Sequence, residues 1–296
     1  MGSHHAPARR RFLRAAGVLA ALAVVVSGSA ASASASASAS TSARRSAAPA
    51  PPPLPTSMAA TGDSISRGFH LNWLFAVLEA PQYSWSTGSW PGSSSQYRRI
   101  VAAQPRLAGH AYNDAKTGSR MSDLGRQLGL AAQQRPEYVT VLMGANDVCR
   151  ASLAEMTPTA TFATQFGSAL DAFFAADPGA HVFVASIPNV YRLWSVLHGS
   201  LVARTVWSAL GVCPTMLAAK DTEAQRQLAL RRIEDDNDAL AAVCATFPHC
   251  RFDGYATFRY PFAADQISTV DFFHPNLKGQ NALAGTTWAA GYWPTT

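Results

Sequence analysis

Two stretches of the chain are continuously apolar yet too short for helices. Tyr138-Val139-Thr140-Val141-Leu142-Met143 ends at Gly144, and His181-Val182-Phe183-Val184-Ala185-Ser186-Ile187 ends at Pro188. Runs of this kind, without polar alternation, predict strands buried on both faces, as in a parallel sheet. Weaker strand patterns lie at 57–61, 110–113 and 251–255. Between them, helical spacing predicts helices over 95–103, 121–134, 158–176, 222–247 and 276–290. Pro158, after Thr157, fits the first position of its helix, and Asp221 or Thr222 can cap the long fourth one. The segment 191–217 reads as a partly helical insertion. Strands alternating with helices predict the α/β class: a three-layer α/β/α, flavodoxin-like sandwich with a five-stranded parallel sheet. No internal repeat or second domain is visible.

The first 56 residues stand apart from this pattern. Arg9-Arg10-Arg11-Phe12-Leu13-Arg14 precedes an apolar run, Ala15 to Val26, and then a tract rich in Ser and Ala. Charged, apolar and small-residue regions in that order predict a secretory signal over 1–33, its apolar run too short for a comfortable membrane span. The arginine cluster resembles the twin-arginine export motif, with Ala8 where Ser or Thr is usual; a Sec signal with an Arg-rich start fits as well. Residues 34–56, first alternating Ala and Ser and then rich in Ala and Pro, predict a disordered linker. The folded domain is expected over 57–296.

Composition changes the picture mainly through where the charge lies. The 296 residues carry a formal net charge of +6, but six of the 24 basic residues lie in the first 45 positions and no acidic residue precedes Asp63. The body is therefore formally neutral, which speaks against a nucleic-acid partner. All four cysteines, Cys149, Cys213, Cys244 and Cys250, lie in that body. An even count behind an export signal favours two disulfides. Three pairings are possible, and Cys149–Cys213 with Cys244–Cys250 is preferred. No spacing suggests a zinc site, and no cofactor is expected.

Three chemistry-bearing features fall at the carboxyl ends of expected strands: Gly62-Asp63-Ser64, the run Asn113 to Gly118, and Gly144-Ala145-Asn146-Asp147. With strand order 2-1-3-4-5 these loops meet where the winding reverses, the usual ligand site of such sheets. A fourth feature, Asp271-Phe272-Phe273-His274-Pro275-Asn276, opens the last helix. A serine hydroxyl needs a base to attack an ester; His274 can take its proton and Asp271 can steady the imidazolium. The backbone N–H groups of Ser64 and Gly118 and the Asn146 amide are candidate donors to a developing oxyanion. Each motif alone has an ordinary reading. Gly-Asp-Ser arises by chance in roughly one chain of this length in ten, and Asp-x-x-His-Pro is commonly a capped helix entry. His70, His110, His181, His198 and His249 lack a partner motif and read as surface or core residues.

In order and spacing, Gly62-Asp63-Ser64, Gly118 five residues after Asn113, Gly144-Ala145-Asn146-Asp147 and Asp271-x-x-His274-Pro-Asn-x-x-Gly279 resemble the four blocks of the SGNH (GDSL) hydrolases. The resemblance runs from residue 61 to 285. It implies Ser64 as nucleophile, His274 as base, Asp271 as its support, and Ser64, Gly118 and Asn146 as oxyanion donors, with Asp63 structural. Ile65 and Ala145 depart from the commoner family residues but touch no reacting group. Cys149 after the Asn-Asp pair and Ile187-Pro-Asn-Val190 resemble the secreted phospholipase B-like branch. That branch implies a secreted, extracellular serine esterase acting on lipid acyl esters.

Aromatics crowd the expected site: Phe69, Trp73, Phe75, Tyr83, Trp85 and Trp90 after the serine, then Phe258, Tyr260, Phe262, Phe272 and Phe273 around the histidine. Apolar walls suit an acyl chain. Arg67, Arg120, Arg150 or Arg192 could meet a phosphate. The expected partner is a lipid or other acyl ester, with transient contact to lipid surfaces and a monomeric state. A broad carboxylesterase, a triacylglycerol lipase and a polysaccharide acetyl esterase are the alternatives. A non-catalytic surface-binding protein would not need Ser64, Asp271 and His274 together.

Overall fold

The computed structural model describes residues 50–294. The expected signal and most of the expected linker, residues 1–49, lie outside the described residues. Five strands form one sheet: β1 (Met58–Gly62), β2 (Ala111–Asn113), β3 (Tyr138–Leu142), β4 (His181–Val184) and β5 (Cys250–Phe252). Their order is β2-β1-β3-β4-β5, and every pairing is parallel. Met58 pairs with both Ala111 and Tyr138, so the loops leaving β1, β2 and β3 emerge side by side.

β1 and β3 are buried along their whole length because helices cover both faces. Ten α-helices are described: α1 (Gln96–Ala103), α2 (Leu124–Gln134), α3 (Ala145–Val148), α4 (Thr159–Ala176), α5 (Tyr191–Leu197), α6 (Leu201–Leu210), α7 (Pro214–Leu217), α8 (Glu223–Cys244), α9 (Ala256–Arg259) and α10 (Leu277–Ala290). α2, α4 and α8 pack in succession, with Phe162, Phe166, Leu170, Ile233 and Leu240 buried in the core. α1 and α10 are joined by a buried bond from Gln96 Nε2 to Thr287 Oγ1 at 3.0 Å, and the Tyr138 hydroxyl donates to Gln96 Oε1 at 2.5 Å. Period-two alternation along β3 thus sends Tyr138 toward the α1/α10 layer. This is the α/β/α sandwich that the apolar runs imply.

Local chemistry sets the boundaries. Thr222 caps α8: its Oγ1 accepts from the Gln225 N–H at 3.2 Å, and Gln225 Oε1 accepts from the Thr222 N–H at 2.8 Å. Pro158, expected inside the first turn of α4, stands one place earlier as its N-cap, with ψ 135°. An extended ψ there lets the helix begin at Thr159. The hard-to-read segment resolves into three short helices, α5 to α7. Cys149 is bonded to Cys213 and Cys244 to Cys250. The first closes a separation of 64 residues and ties α3 to the turn before α7.

The end of the expected linker is not free chain. Thr56 donates from its N–H and its hydroxyl to Glu137, at 2.6 and 3.0 Å. The Pro52 carbonyl accepts from Trp293 Nε1 at 2.7 Å, and Leu54 packs against the core. Proline pre-extends this segment, and these hydrogen bonds together with Leu54 seat it. Composition alone does not reveal such a docking site.

Candidate active site

Ser64 stands two residues beyond the end of β1, in a turn where the Arg67 and Phe69 N–H groups donate to its carbonyl at 3.2 and 3.1 Å. The approach of β1 to β3 is possible because residue 62 is glycine: its φ is +138°, and a Cβ there would lie 2.3 Å from the Leu142 carbonyl oxygen. Asp63 is fully buried. Its Oδ1 accepts from the Ile65 N–H at 2.9 Å. Burial pushes its pKa up to about 6, against that hydrogen bond and the charge of His274. Asp63 therefore braces the turn rather than facing the opening.

His274 Nε2 lies 2.7 Å from Ser64 Oγ, and His274 Nδ1 lies 2.5 Å from Asp271 Oδ2. A carboxylate only accepts, so Nδ1 carries the proton and Nε2 is left to accept from the Ser64 hydroxyl. Asp271 Oδ1 accepts from the N–H groups of Phe273 and His274, at 3.0 and 3.1 Å. A left-handed residue between them, Phe272 with φ 55°, folds the chain back so that carboxylate and imidazole meet. Trp207 on α6 holds that kink by donating from Nε1 to the Phe272 carbonyl at 3.1 Å. Burial opposes charge on Asp271, but the pull of His274 when protonated and the donated hydrogen bonds outweigh it. The carboxyl is held well below the usual carboxylate range and is ionised.

A further histidine joins this group, contrary to the reading of His70 as a surface or core residue. His70 Nδ1 lies 2.9 Å from Asp271 Oδ2, the same oxygen that His274 uses. Its backbone has φ 53°. Its ring stacks on Phe69 at 3.8 Å between centroids, and Phe69 meets the His274 ring edge-on at 5.5 Å. No sequence motif marks it, since 201 positions separate it from Asp271.

The candidate oxyanion donors are tied to the serine turn by another residue without a motif, Gln127 on α2. Its side chain accepts from the Gly62 N–H at 2.7 Å and donates to the Gly62 carbonyl at 2.9 Å and to Ser119 Oγ at 3.0 Å. The Ser119 carbonyl then accepts from Asn146 Nδ2 at 2.9 Å. The loops after β1, β2 and β3 are thereby linked through two side-chain amides, those of Gln127 and Asn146. Gly118 has φ +80°, a conformation that favours glycine, and nothing lies within 4 Å of where a Cβ would be. Among the described residues, no hydrogen bond is donated by the backbone N–H of Ser64 or Gly118. A signal existed for Gln127: a glutamine buried inside an otherwise apolar helix face needs a partner.

An apolar cavity is lined among others by Ile65, Ala145, Pro188, Val190, Phe262 and Phe273, and not by Ser64 or His274 themselves. Three of these adjoin Ser64, Asn146 and His274 in sequence. Phe262 and Phe273 thus stand in the wall, whereas Trp85 is core and Trp73 projects into solvent. Of the arginines weighed for a phosphate, Arg67 is engaged in an ion pair with Glu79 at 2.7 Å and donates to the Asn113 carbonyl. Arg192 lines the cavity and donates from Nε to the Phe262 carbonyl at 3.0 Å. Among the described residues, His70, Asp271 and His274 are the group whose donor atoms could hold a metal, lying within 4.8 Å of one another. A cation there would displace the bond from His274 to Asp271, and the hydrogen bonds already satisfy the carboxylate.

An α/β/α sandwich with a Ser–His–Asp hydrogen-bonded chain at the carboxyl ends of its strands has the frame of a serine hydrolase. Residues 60–282 match the GDSL-like Lipase/Acylhydrolase family, and the chain belongs to it. It is accordingly a carboxylic ester hydrolase. No curated protein matches it. Among solved structures it is similar to one described as a GDSL-like lipase from Parabacteroides merdae, at 14% identity and TM-score 0.51, covering 82% of this chain and 98% of that one. It is also similar to the lipase Lip_vut3 from a goat rumen metagenome, at 14% identity and TM-score 0.50, covering 80% and 97%. At such identities the likeness establishes the fold.

Proposed function

We propose that the protein is a secreted serine esterase that hydrolyses lipid acyl esters, of the phospholipase B or lysophospholipase kind, through an acyl-enzyme. The observation that carries the reading is the continuous chain from Ser64 Oγ through His274 to Asp271, at 2.7 and 2.5 Å. His274 Nε2 takes the Ser64 proton as Oγ attacks the ester carbonyl carbon. The carbonyl oxygen becomes negative and is met by the N–H groups of Ser64 and Gly118 and by Asn146 Nδ2. Each such donor is worth roughly 100- to 1000-fold in rate. Asp271, ionised and fixed by four donors, stabilises the imidazolium, and His70 is a positioning residue for that carboxylate. Collapse breaks the ester C–O bond, and His274 returns its proton to the leaving alcohol. Water, deprotonated in turn by His274, then releases the fatty acid and restores Ser64.

The apolar cavity lined by Ile65, Ala145 and Phe273, the sequence neighbours of Ser64, Asn146 and His274, supports an acyl chain as the group that is transferred. Two disulfides support an oxidising, extracellular setting. The test is an assay panel of phospholipid, lysophospholipid, triglyceride and acetylated sugar. Fatty-acid release from the first two at rates well above acetate release is expected. Preferential deacetylation of sugar would replace this reading with that of a polysaccharide acetyl esterase.

A further inference from the structure

Residues 67–80 leave the fold and return to it at one point. The Ala80 N–H donates to the Arg67 carbonyl at 2.9 Å. Arg67 and Glu79 form an ion pair across the same neck, and Glu79 Oε1 accepts from the Thr117 hydroxyl at 2.7 Å. A loop of this length with pinned ends is an Ω-loop, a compact unit that holds its shape. Its root reaches the reaction centre through His70, on Asp271, and Phe69, against His274. Its tip does the opposite. Trp73 is 70% exposed, Leu74 78%, Val77 80% and Leu78 56%. Four large apolar side chains exposed within six positions are a cluster of a kind that marks an interaction site.

The chemistry of the tip selects the partner. From Leu71 to Leu78 the chain has no ionisable side chain, so nothing there favours an anionic or cationic surface. Tryptophan and branched aliphatic side chains together suit the boundary between water and acyl chains. The tip also stands on the same short loop as His70 and Phe69, which contact Asp271 and His274.

We infer that the 71–78 tip is a docking surface for an electrically neutral lipid–water interface, seating the enzyme on its aggregated substrate. The inference rests on the lipid-ester reading above and adds the physical form of the substrate: lipid in an assembled surface. The neck keeps the docked tip and the catalytic root in fixed relation.

Docking is separable from turnover by using Ser64→Ala protein, which cannot form an acyl-enzyme, and phosphatidylcholine vesicles in a sedimentation assay. Vesicle binding is expected, and it should not weaken between low and high salt. Each large apolar side chain withdrawn from water is worth roughly 10- to 100-fold in a partition constant. Leu74→Ser/Val77→Ser/Leu78→Ser in that background should therefore lose at least about 10-fold in partitioning, with Leu74→Ser alone giving a smaller loss in the same direction. Unfolding midpoints are to be measured to check that both variants are folded. Unchanged partitioning in the folded triple variant overturns the proposal. Binding confined to anionic vesicles and abolished by salt also overturns it. So does a dimer in size-exclusion chromatography that the triple variant dissociates, with no vesicle binding, since the tip would then be covered by a second copy. Should the wild type dock on vesicles and release no fatty acid from them, the lipid-ester reading fails and the docking surface stands.

Discussion

Replacing His70 tests how the carboxylate is held. In the structure Asp271 accepts four hydrogen bonds, two at Oδ2 from the rings of His70 and His274, and two at Oδ1 from backbone N–H groups. A hydrogen bond to a charged acceptor is worth about 1.5–3 kcal/mol. Were all of it expressed in the transition state, its loss would slow turnover roughly 10- to 150-fold. Loss of a triad carboxylate's function costs about 10⁴-fold in serine proteases, which sets a ceiling. Asp271 keeps three donors without His70, so the expected loss in kcat lies near the lower end, about 10-fold. The informative pair is His70→Phe, which keeps a ring to stack on Phe69 but has no donor, and His70→Asn. Asparagine tolerates the left-handed backbone that His70 adopts, at φ 53°, and can place an amide N–H near the Nδ1 position. Steady-state kinetics on a soluble short-chain ester should give a lower kcat with little change in KM for His70→Phe, and substantial recovery in His70→Asn. Equal kcat in both variants, or no loss in the phenylalanine variant, would refute the reasoning.

Three other outcomes are expected. Asn146→Ala should lower kcat by about 100- to 1000-fold while leaving KM within a few-fold, read from the same assay. Asp63 is raised from 3.8 to about 6 by burial, so between those values the folded protein holds a proton that the unfolded chain has lost. The contribution of Asp63 to stability is thus present at low pH and falls as pH rises through that window. Asp63→Asn, which keeps an acceptor for the Ile65 N–H, should gain stability over the wild type by up to about 3 kcal/mol from pH 4 to pH 7 in urea unfolding; a difference independent of pH would contradict this. Finally, with Cys149–Cys213 and Cys244–Cys250 formed, the denatured, unreduced protein should contain no titratable thiol.

What the sequence made legible follows from how local each signal is. β3 and β4 announce themselves because a strand covered on both faces must be apolar at consecutive positions. Asp271 and His274 stand three residues apart in a motif, and Ser64 sits in another, so both blocks are readable before their 2.7 Å meeting is seen. His70 and Gln127 act on partners 201 and 65 positions away. Their roles exist only once the chain has folded, and neither stands in a motif. The same holds for Arg67: an ion pair with Glu79 across a loop neck is indistinguishable, in the sequence, from a free surface arginine. Segment 50–56, expected as disordered linker, packs on the domain, which the sequence conceals for a related reason. Its low complexity reads as disorder, while the groove that receives Pro52, Leu54 and Thr56 is built by Glu137 and Trp293.

The central claim is that Ser64 is the group that is acylated. Treatment with a fluorophosphonate ester, followed by peptide mass mapping, addresses it directly, because phosphonylation marks the serine activated by a neighbouring base. The account predicts one equivalent of adduct on the peptide that carries Ser64, with ester hydrolysis lost in proportion and no labelling in His274→Ala. Full inhibition with the adduct on a different residue, or hydrolysis that persists in Ser64→Ala, would contradict it.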